Sequence, residues 1–133
     1  MLSRPMAGWT TLKLKEIAIP VSYVTDAPYD FAMAFMRYLS IKEPQIVTVD
    51  SESDGEYQIL FTKEGVYVIH YDEVVFVEID ILSLISEFCS DIFLFADDWE
   101  TEWYDSEETQ EDIEELKVKV KEVFELLEEE KHG

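Results

Sequence analysis

The chain has 133 residues, with 31 Asp and Glu against 10 Lys and Arg, which gives a formal net charge of −21 and a pI near 4.1. This length supports one domain with one core, and 47% hydrophobic with 14% aromatic residues exclude a disordered chain. The charge disfavours direct binding to nucleic acids and to anionic membranes, and no apolar run reaches the ~18 residues of a membrane span.

Alternating side chains predict a strand near the start of the chain. Leu12 and Leu14 alternate with lysines, and apolar residues continue at every second position to Tyr23. Pro20 lies in this run and cannot donate to a ladder, so we expect one strand that is bent or lies at a sheet edge.

A helix over about 27–40 is predicted next. Asp26 stands at the capping position before Ala27 and Pro28, and apolar residues follow at helical spacing from Phe31 to Leu39.

The middle of the chain predicts an antiparallel meander. Four runs of strand-forming residues are separated by turn sequences, among them Asp54-Gly55 and Lys63-Glu64-Gly65. The four strands are expected over 45–50, 57–62, 66–71 and 74–79.

Two further helices complete the prediction. Apolar residues at helical spacing indicate a helix over 81–96 after Asp80, and an acidic, aromatic connection follows over 97–104. Asp105 and Glu108 then match a capping box, which predicts a last helix to about Glu130. The sequence thus predicts a single α+β domain, 1–133, in which an antiparallel sheet of about four to five strands carries about three helices on one face or end.

The region from Asp97 to Glu115 is the candidate functional segment. It holds 11 acids in 19 residues, and no Lys or Arg occurs between Lys63 and Lys117. Like charges four apart on a helix, such as Glu107 and Glu111, cost a few tenths of a kcal/mol each, so stability alone would not favour them. The candidate partner-binding residues are Asp97, Asp98, Trp99, Glu100, Glu102, Trp103, Tyr104, Glu107, Glu108, Glu111, Asp112 and Glu115.

Each half of this interpretation has an alternative. The carboxylates could simply form a solvated face, with those in the first helical turn stabilised by the helix dipole. The aromatic side chains could be interface anchors, or they could lie over the open end of the core.

Catalytic and metal sites lack support in the sequence. No register across Asp97 to Glu108 places the glycine that an EF-hand loop needs, although a loose divalent site of Asp97, Asp98 and Glu100 stays open. His70 is expected to be structural, and neither His70 nor His132 stands in a metal-binding pair. We expect no catalytic residues, no metal and no cofactor, and therefore a protein that is not an enzyme.

Cys89 is the single cysteine, which excludes an internal disulfide, and its apolar surroundings suit a reduced, buried thiol. Because Met1 to Gly8 also lack the apolar run of a signal peptide, we expect a cytoplasmic location.

Two resemblances add to these expectations. The run from Val21 to Ala27, followed by Asp54-Gly55-Glu56-Tyr57 at the start of a strand, resembles a group of small uncharacterised bacterial proteins. In size, charge and lack of catalytic motifs, the chain also resembles the acidic immunity proteins of bacterial toxin systems. The second resemblance implies a basic protein partner and assigns no residue.

The leading hypothesis is an immunity-type inhibitor that occludes a basic toxin, such as a nuclease, and that is a monomer or weak dimer. A second is a phage-type DNA mimic that blocks a restriction or CRISPR effector. A third, from another class, is a non-inhibitory regulatory domain that binds a small ligand or associates with itself.

Overall fold

The computed structural model of the protein describes residues 1–106 and 109–132. Its strands in that part of the chain are β1 (Trp9–Leu14), β2 (Ile17–Ser22), β3 (Gln45–Asp50), β4 (Glu56–Phe61), β5 (Val66–His70) and β6 (Glu73–Val77). Its helices are α1 (Ala27–Ile41), α2 (Ile81–Leu94), α3 (Ala96–Asp98) and α4 (Gln110–His132). The two sheets, β1-β2 and β3-β4-β5-β6, are antiparallel, so the predicted α+β class is confirmed.

The single strand predicted up to Tyr23 is wrong, because the chain forms a hairpin there. Leu14 pairs with Ile17, and Lys15-Glu16 form a two-residue connection in which Lys15 adopts a φ of 55°. Even-numbered residues of β1 and odd-numbered residues of β2 therefore share one buried face. Pro20 is exposed on the opposite face.

The meander is confirmed as four strands in sequential order. One face of this sheet is buried, and it carries Val47, Val49, Ile59, Phe61, Val66 and Val68. On the other face, no helix within the described part of the chain buries the end strands, since Ile46 of β3 and Phe76 of β6 are 54% and 45% exposed.

The helix after Asp26 starts as predicted, and Asp26 stands at its N-cap position. Its side chain makes no capping hydrogen bond to the helix backbone, whereas Pro28 occupies the first turn. α1 buries Phe31 and Phe35 and packs along α4. An ion pair between Lys42 and Glu130 joins the C-terminal ends of these two helices.

The connection predicted over 97–104 is in fact helical. α3 leads into a π-helical turn over Trp99–Trp103, in which the Tyr104 N–H donates to the Trp99 carbonyl oxygen at 2.8 Å. α4 begins at Gln110, five residues after the predicted cap Asp105. The capping-box residue Glu108 lies outside the described residues.

Four phenylalanine rings form the centre of the core. Phe31 and Phe35 of α1 meet Phe61 of β4 and Phe88 of α2, and all four side chains are fully buried. Among the described helices, none combines the length and apolar composition needed to cross a bilayer.

Gly65 lies where the backbone of β6 approaches the β4–β5 turn. A Cβ at this position would stand 2.4 Å from the Val77 carbonyl oxygen and 2.9 Å from the Phe76 ring. We expect Gly65→Ala to lower the free energy of unfolding by about 2 kcal/mol or more, measured by urea titration. Glu64→Ala, at an exposed position of the same turn, is the matched control and should change stability by less than about 0.5 kcal/mol. Equal stabilities of the two variants would contradict this contact.

Candidate functional site

The three aromatic residues of the candidate segment belong to the core. Trp99 is 0% exposed, Trp103 6% and Tyr104 3%. The two indole rings pack edge to face with centroids 5.6 Å apart, and Trp99 Nε1 donates to the Asp91 carbonyl oxygen at 3.2 Å. They stabilise the turn over the open end of the core and offer a partner no exposed anchor.

Two acids of the segment attach it to the residues that precede β1. Asp98 Oδ1 lies 3.1 Å from an Arg4 guanidinium nitrogen. Glu102 Oε2 accepts a hydrogen bond from the Ala7 N–H at 2.9 Å, and the Glu102 carbonyl oxygen accepts one from the Gly8 N–H at 2.7 Å. These contacts give Asp98 and Glu102 a structural role.

The remaining acids differ in exposure. Asp97, Asp105, Glu111 and Glu115 are exposed, and Glu100 and Asp112 are half-buried. The predicted site residues Glu107 and Glu108 lie outside the described residues.

The fold adds two acids that the sequence analysis did not select. Asp26, just before α1, accepts a hydrogen bond from the Tyr104 hydroxyl at 2.5 Å. Asp30 lies in the first turn of α1 and Asp112 in the first turn of α4, and the charges of both carboxylates act on the Tyr104 hydroxyl. Asp26 and Asp30 are near each other in sequence, whereas Asp112 is distant from both. Tertiary structure alone therefore brings Asp112 to this group.

Two helix N-termini meet at this cluster. Asp26 lies near Asp112 at one end of the α1–α4 pair, and Lys42 pairs with Glu130 at the other end, so the two helices run parallel. Their N-terminal dipoles stabilise carboxylates in the first turns. Glu115 lies beyond the first turn of α4 and gains little from this effect.

The carboxyl groups of Asp26 and Asp30 nevertheless resist ionisation. Burial raises the pKa of Asp26 above its ordinary value of 3.8, and the nearby charges of Asp30 and Asp112 raise it further, against the lowering effect of the Tyr104 hydrogen bond. Burial also raises the pKa of Asp30, and burial beside Asp26 raises the pKa of the Tyr104 hydroxyl. No Lys or Arg contributes to any of these shifts.

We define the acidic surface as Asp26 and Asp30 of the α1 start together with Glu111, Asp112 and Glu115 of α4. An open depression of about 450 Å³ adjoins it, lined by Tyr29, Val118 and Lys119 besides Glu114 and Glu115. Val118 is 57% exposed, so apolar surface is available directly beside the carboxylates.

The contacts of His70 and Cys89, the other candidate groups, indicate structural roles. The His70 ring stacks on Tyr57 with centroids 3.9 Å apart, and His70 Nε2 lies 2.7 Å from the Asp54 carbonyl oxygen. Cys89 is buried as predicted, and burial raises its thiol pKa to about 12. Within residues 1–106 and 109–132, no group of three or more His, Cys, Asp or Glu side chains is arranged to hold a metal ion.

A scan against protein-family models, a search of curated proteins and a search of solved structures each found no match for this chain.

The acidic surface predicts a pH-dependent stability. Because the pKa of Asp26 is raised in the folded state, its ionised form destabilises the fold at pH values above the ordinary value of 3.8. Asp26→Asn keeps an acceptor for the Tyr104 hydroxyl and removes the charge. We expect this variant to have a higher free energy of unfolding than the native protein at pH 7, and the difference to shrink as the pH falls towards 3.8. Urea titrations at several pH values measure both.

Asp105→Asn is the control, since it removes an exposed carboxylate next to the same tyrosine. It should leave the stability and its pH dependence nearly unchanged. An Asp26→Asn variant that is less stable than the native protein at pH 7 would show that the cluster stabilises the fold.

Proposed function

We propose that this protein is a non-catalytic, acidic protein-binding inhibitor of the immunity type. It neutralises a basic toxin by occluding the active or substrate-binding surface of that toxin, and nucleases are the leading class of toxin. The observation that carries this proposal is the acidic surface, where carboxylates of the α1 start and of α4, distant in sequence, stand together around the Tyr104 hydroxyl.

This arrangement has a cost in the free chain that a basic partner would offset. The carboxyl groups of Asp26 and Asp30 are partly removed from water, and Asp26 is repelled by its acidic neighbours. Lys or Arg side chains of a partner would interact favourably with the ionised forms. Binding would then lower the raised pKa values and release protons.

A nuclease suits this surface because its substrate-binding groove attracts phosphate groups. Carboxylates fixed on two helix ends can occupy the same basic groove, and their field speeds encounter with a basic partner by roughly 10- to 10³-fold at low salt. The net charge of −21 extends this attraction beyond the contact area.

Because Trp99 and Trp103 are buried, apolar contacts with the partner must come from elsewhere. Tyr29 and Val118 line the depression next to Glu115, and they are the described apolar side chains placed to pack against a partner there. Apolar groups flanked by steering charges are the usual composition of an interface centre.

The proposal is tested first by capture and then by kinetics. The immobilised chain is exposed to a lysate of its native host, and proteins released by high salt are identified, purified and assayed for nuclease activity with and without this protein. Asp30→Asn/Glu111→Gln/Glu115→Gln is then compared with the native chain by stopped-flow association over a series of salt concentrations. We expect association slower by roughly three- to tenfold at low salt, with a flatter salt dependence.

A control of equal charge separates local from global effects. Glu43→Gln/Glu52→Gln/Glu56→Gln also removes three exposed carboxylates, all from the region of the meander. It should slow association much less. If both triple variants behave alike, the effect comes from net charge, and the acidic surface is not the binding site. A captured restriction or CRISPR effector in place of a toxin would favour the DNA-mimic function.

A further inference from the structure

β6 is an outer strand with an unused edge. It pairs with β5 on one side, and within the described residues no strand pairs with its other side. Natural proteins usually protect such an edge with lysine, proline, a bulge or a covering element. The sequence Glu73–Val77 contains neither residue, and Val74, Val75 and Phe76 are 61%, 47% and 45% exposed.

The hairpin geometry indicates which backbone groups face outward. His70 pairs with Glu73 across the two-residue connection Tyr71-Asp72, and Tyr71 adopts a φ of 53°. In such a turn the residues that flank it form a hydrogen-bonded pair, and bonded pairs alternate with non-bonded ones along the ladder. The N–H and C=O groups of Val74 and Phe76 therefore point away from β5.

A row of apolar side chains crosses the outer face of the sheet and ends at this edge. Ile46, Leu60, Tyr67 and Phe76 are consecutive partners across β3, β4, β5 and β6. The Tyr67 and Phe76 rings have centroids 4.8 Å apart. A further strand beside β6 would place another side chain in this row, next to the exposed Phe76.

The opposite face of β6 borders a groove. This groove of about 300 Å³ lies between Val75–Glu78 and the β1–β2 turn, whose residues Leu14–Ile17 form its other wall. An added strand would direct every second side chain towards it. Edge recognition commonly combines main-chain hydrogen bonds with such pockets for alternate side chains.

The charged side chains around the β6 edge indicate which kind of segment would bind there. Six carboxylates, Asp72, Glu73, Glu78, Asp80, Glu16 and Glu64, lie on β6, on its flanks or in the lining of the groove and the adjoining depression. Two ammonium groups are nearby: Lys15 lines both the groove and the adjoining depression, and Lys63 lines the adjoining depression. A second copy of a chain with a net charge of −21 would set acidic strand ends against each other. A segment with Lys or Arg at its ends would be attracted.

We propose that the β6 edge binds an extended, basic segment of a partner protein as a fifth strand of the meander. The backbone of that segment bonds to Val74 and Phe76, its successive side chains contact Phe76 on one face and the groove on the other, and its basic ends face Glu73 and Glu78. This inference is independent of the acidic surface.

The probe is the peptide acetyl-Lys-Thr-Val-Thr-Val-Thr-Lys-amide, titrated at low salt and followed by amide chemical shifts. We expect the largest shifts at residues 73–77. A peptide with Glu in place of both Lys residues should bind at least about tenfold more weakly. N-methylation of either the two Val or the three Thr residues should weaken binding about tenfold, and N-methylation of the other set should not, because only alternate amides of a strand face its neighbour.

Two variants of the protein complete the test. Val74→Pro removes an outward N–H without removing a ladder donor to β5, and it should lose binding, whereas Val74→Thr keeps the N–H and should retain it. The spectrum of each variant shows whether the fold is intact. If both N-methylated peptides bind equally well, or if Val74→Pro binds like Val74→Thr, the strand-addition geometry is overturned.

Two further outcomes would also overturn it. Loss of peptide binding in the Asp30→Asn/Glu111→Gln/Glu115→Gln variant would place the peptide on the acidic surface. Sedimentation that shows dimers of the native chain but not of Val74→Pro would make a second copy the occupant. The failure of the toxin-inhibitor proposal would leave all these peptide results unchanged.

Discussion

The packing of four phenylalanine rings from three elements is the interaction on which the rest of the structure depends. Phe35 lies 4.8 Å from Phe61 and 5.2 Å from Phe88 between ring centroids, and Phe31 contacts both as well. Burial of each ring contributes about 1.5–3 kcal/mol, and edge-to-face pairs add about 0.5–1.5 kcal/mol. This cluster joins α1 to β4 of the sheet and to α2. Because α4 packs along α1, the same cluster fixes where the N-termini of α1 and α4 meet, and hence where the acidic surface forms.

A chain with a net charge of −21 must keep its fold against its own repulsion. Part of the acidic segment contributes to this, because Asp98 and Glu102 hold the helical turn onto the residues before β1 through Arg4 and Ala7. Asp26 and Asp30 do the opposite, since burial disfavours the ionised form of both and acidic neighbours repel the charge of Asp26. The core stabilises the fold enough to carry that unfavourable group. Acids of this chain thus have two different physical roles, and position in the fold separates them.

The sequence predicted what depends on local pattern. The four strands of the meander have period-two side chains and turn residues between them, and the structure has them in that order. The β1–β2 hairpin was missed although a signal was present: apolar positions change from even at Leu14 to odd at Ile17, which one regular strand cannot do. Trp99 is buried because it lies in a helical turn, whereas the acidic composition of this region had indicated a connection. The contact of Asp26 with Tyr104 joins residues 78 positions apart, and no local pattern reports such a distance.

The two surfaces described above differ in the physics of recognition. Charge on the acidic surface acts over about a Debye length, so it raises association rates, tolerates small errors of position and weakens with salt. The β6 edge acts through hydrogen bonds that need a strand at a fixed spacing and register, and it contributes chiefly to the lifetime of a complex. The first surface recognises a sign of charge and the second a backbone conformation. A basic protein with an extended segment could use both, and salt would then change its association far more than its dissociation. A partner limited to the acidic surface would lack that second, salt-resistant contribution.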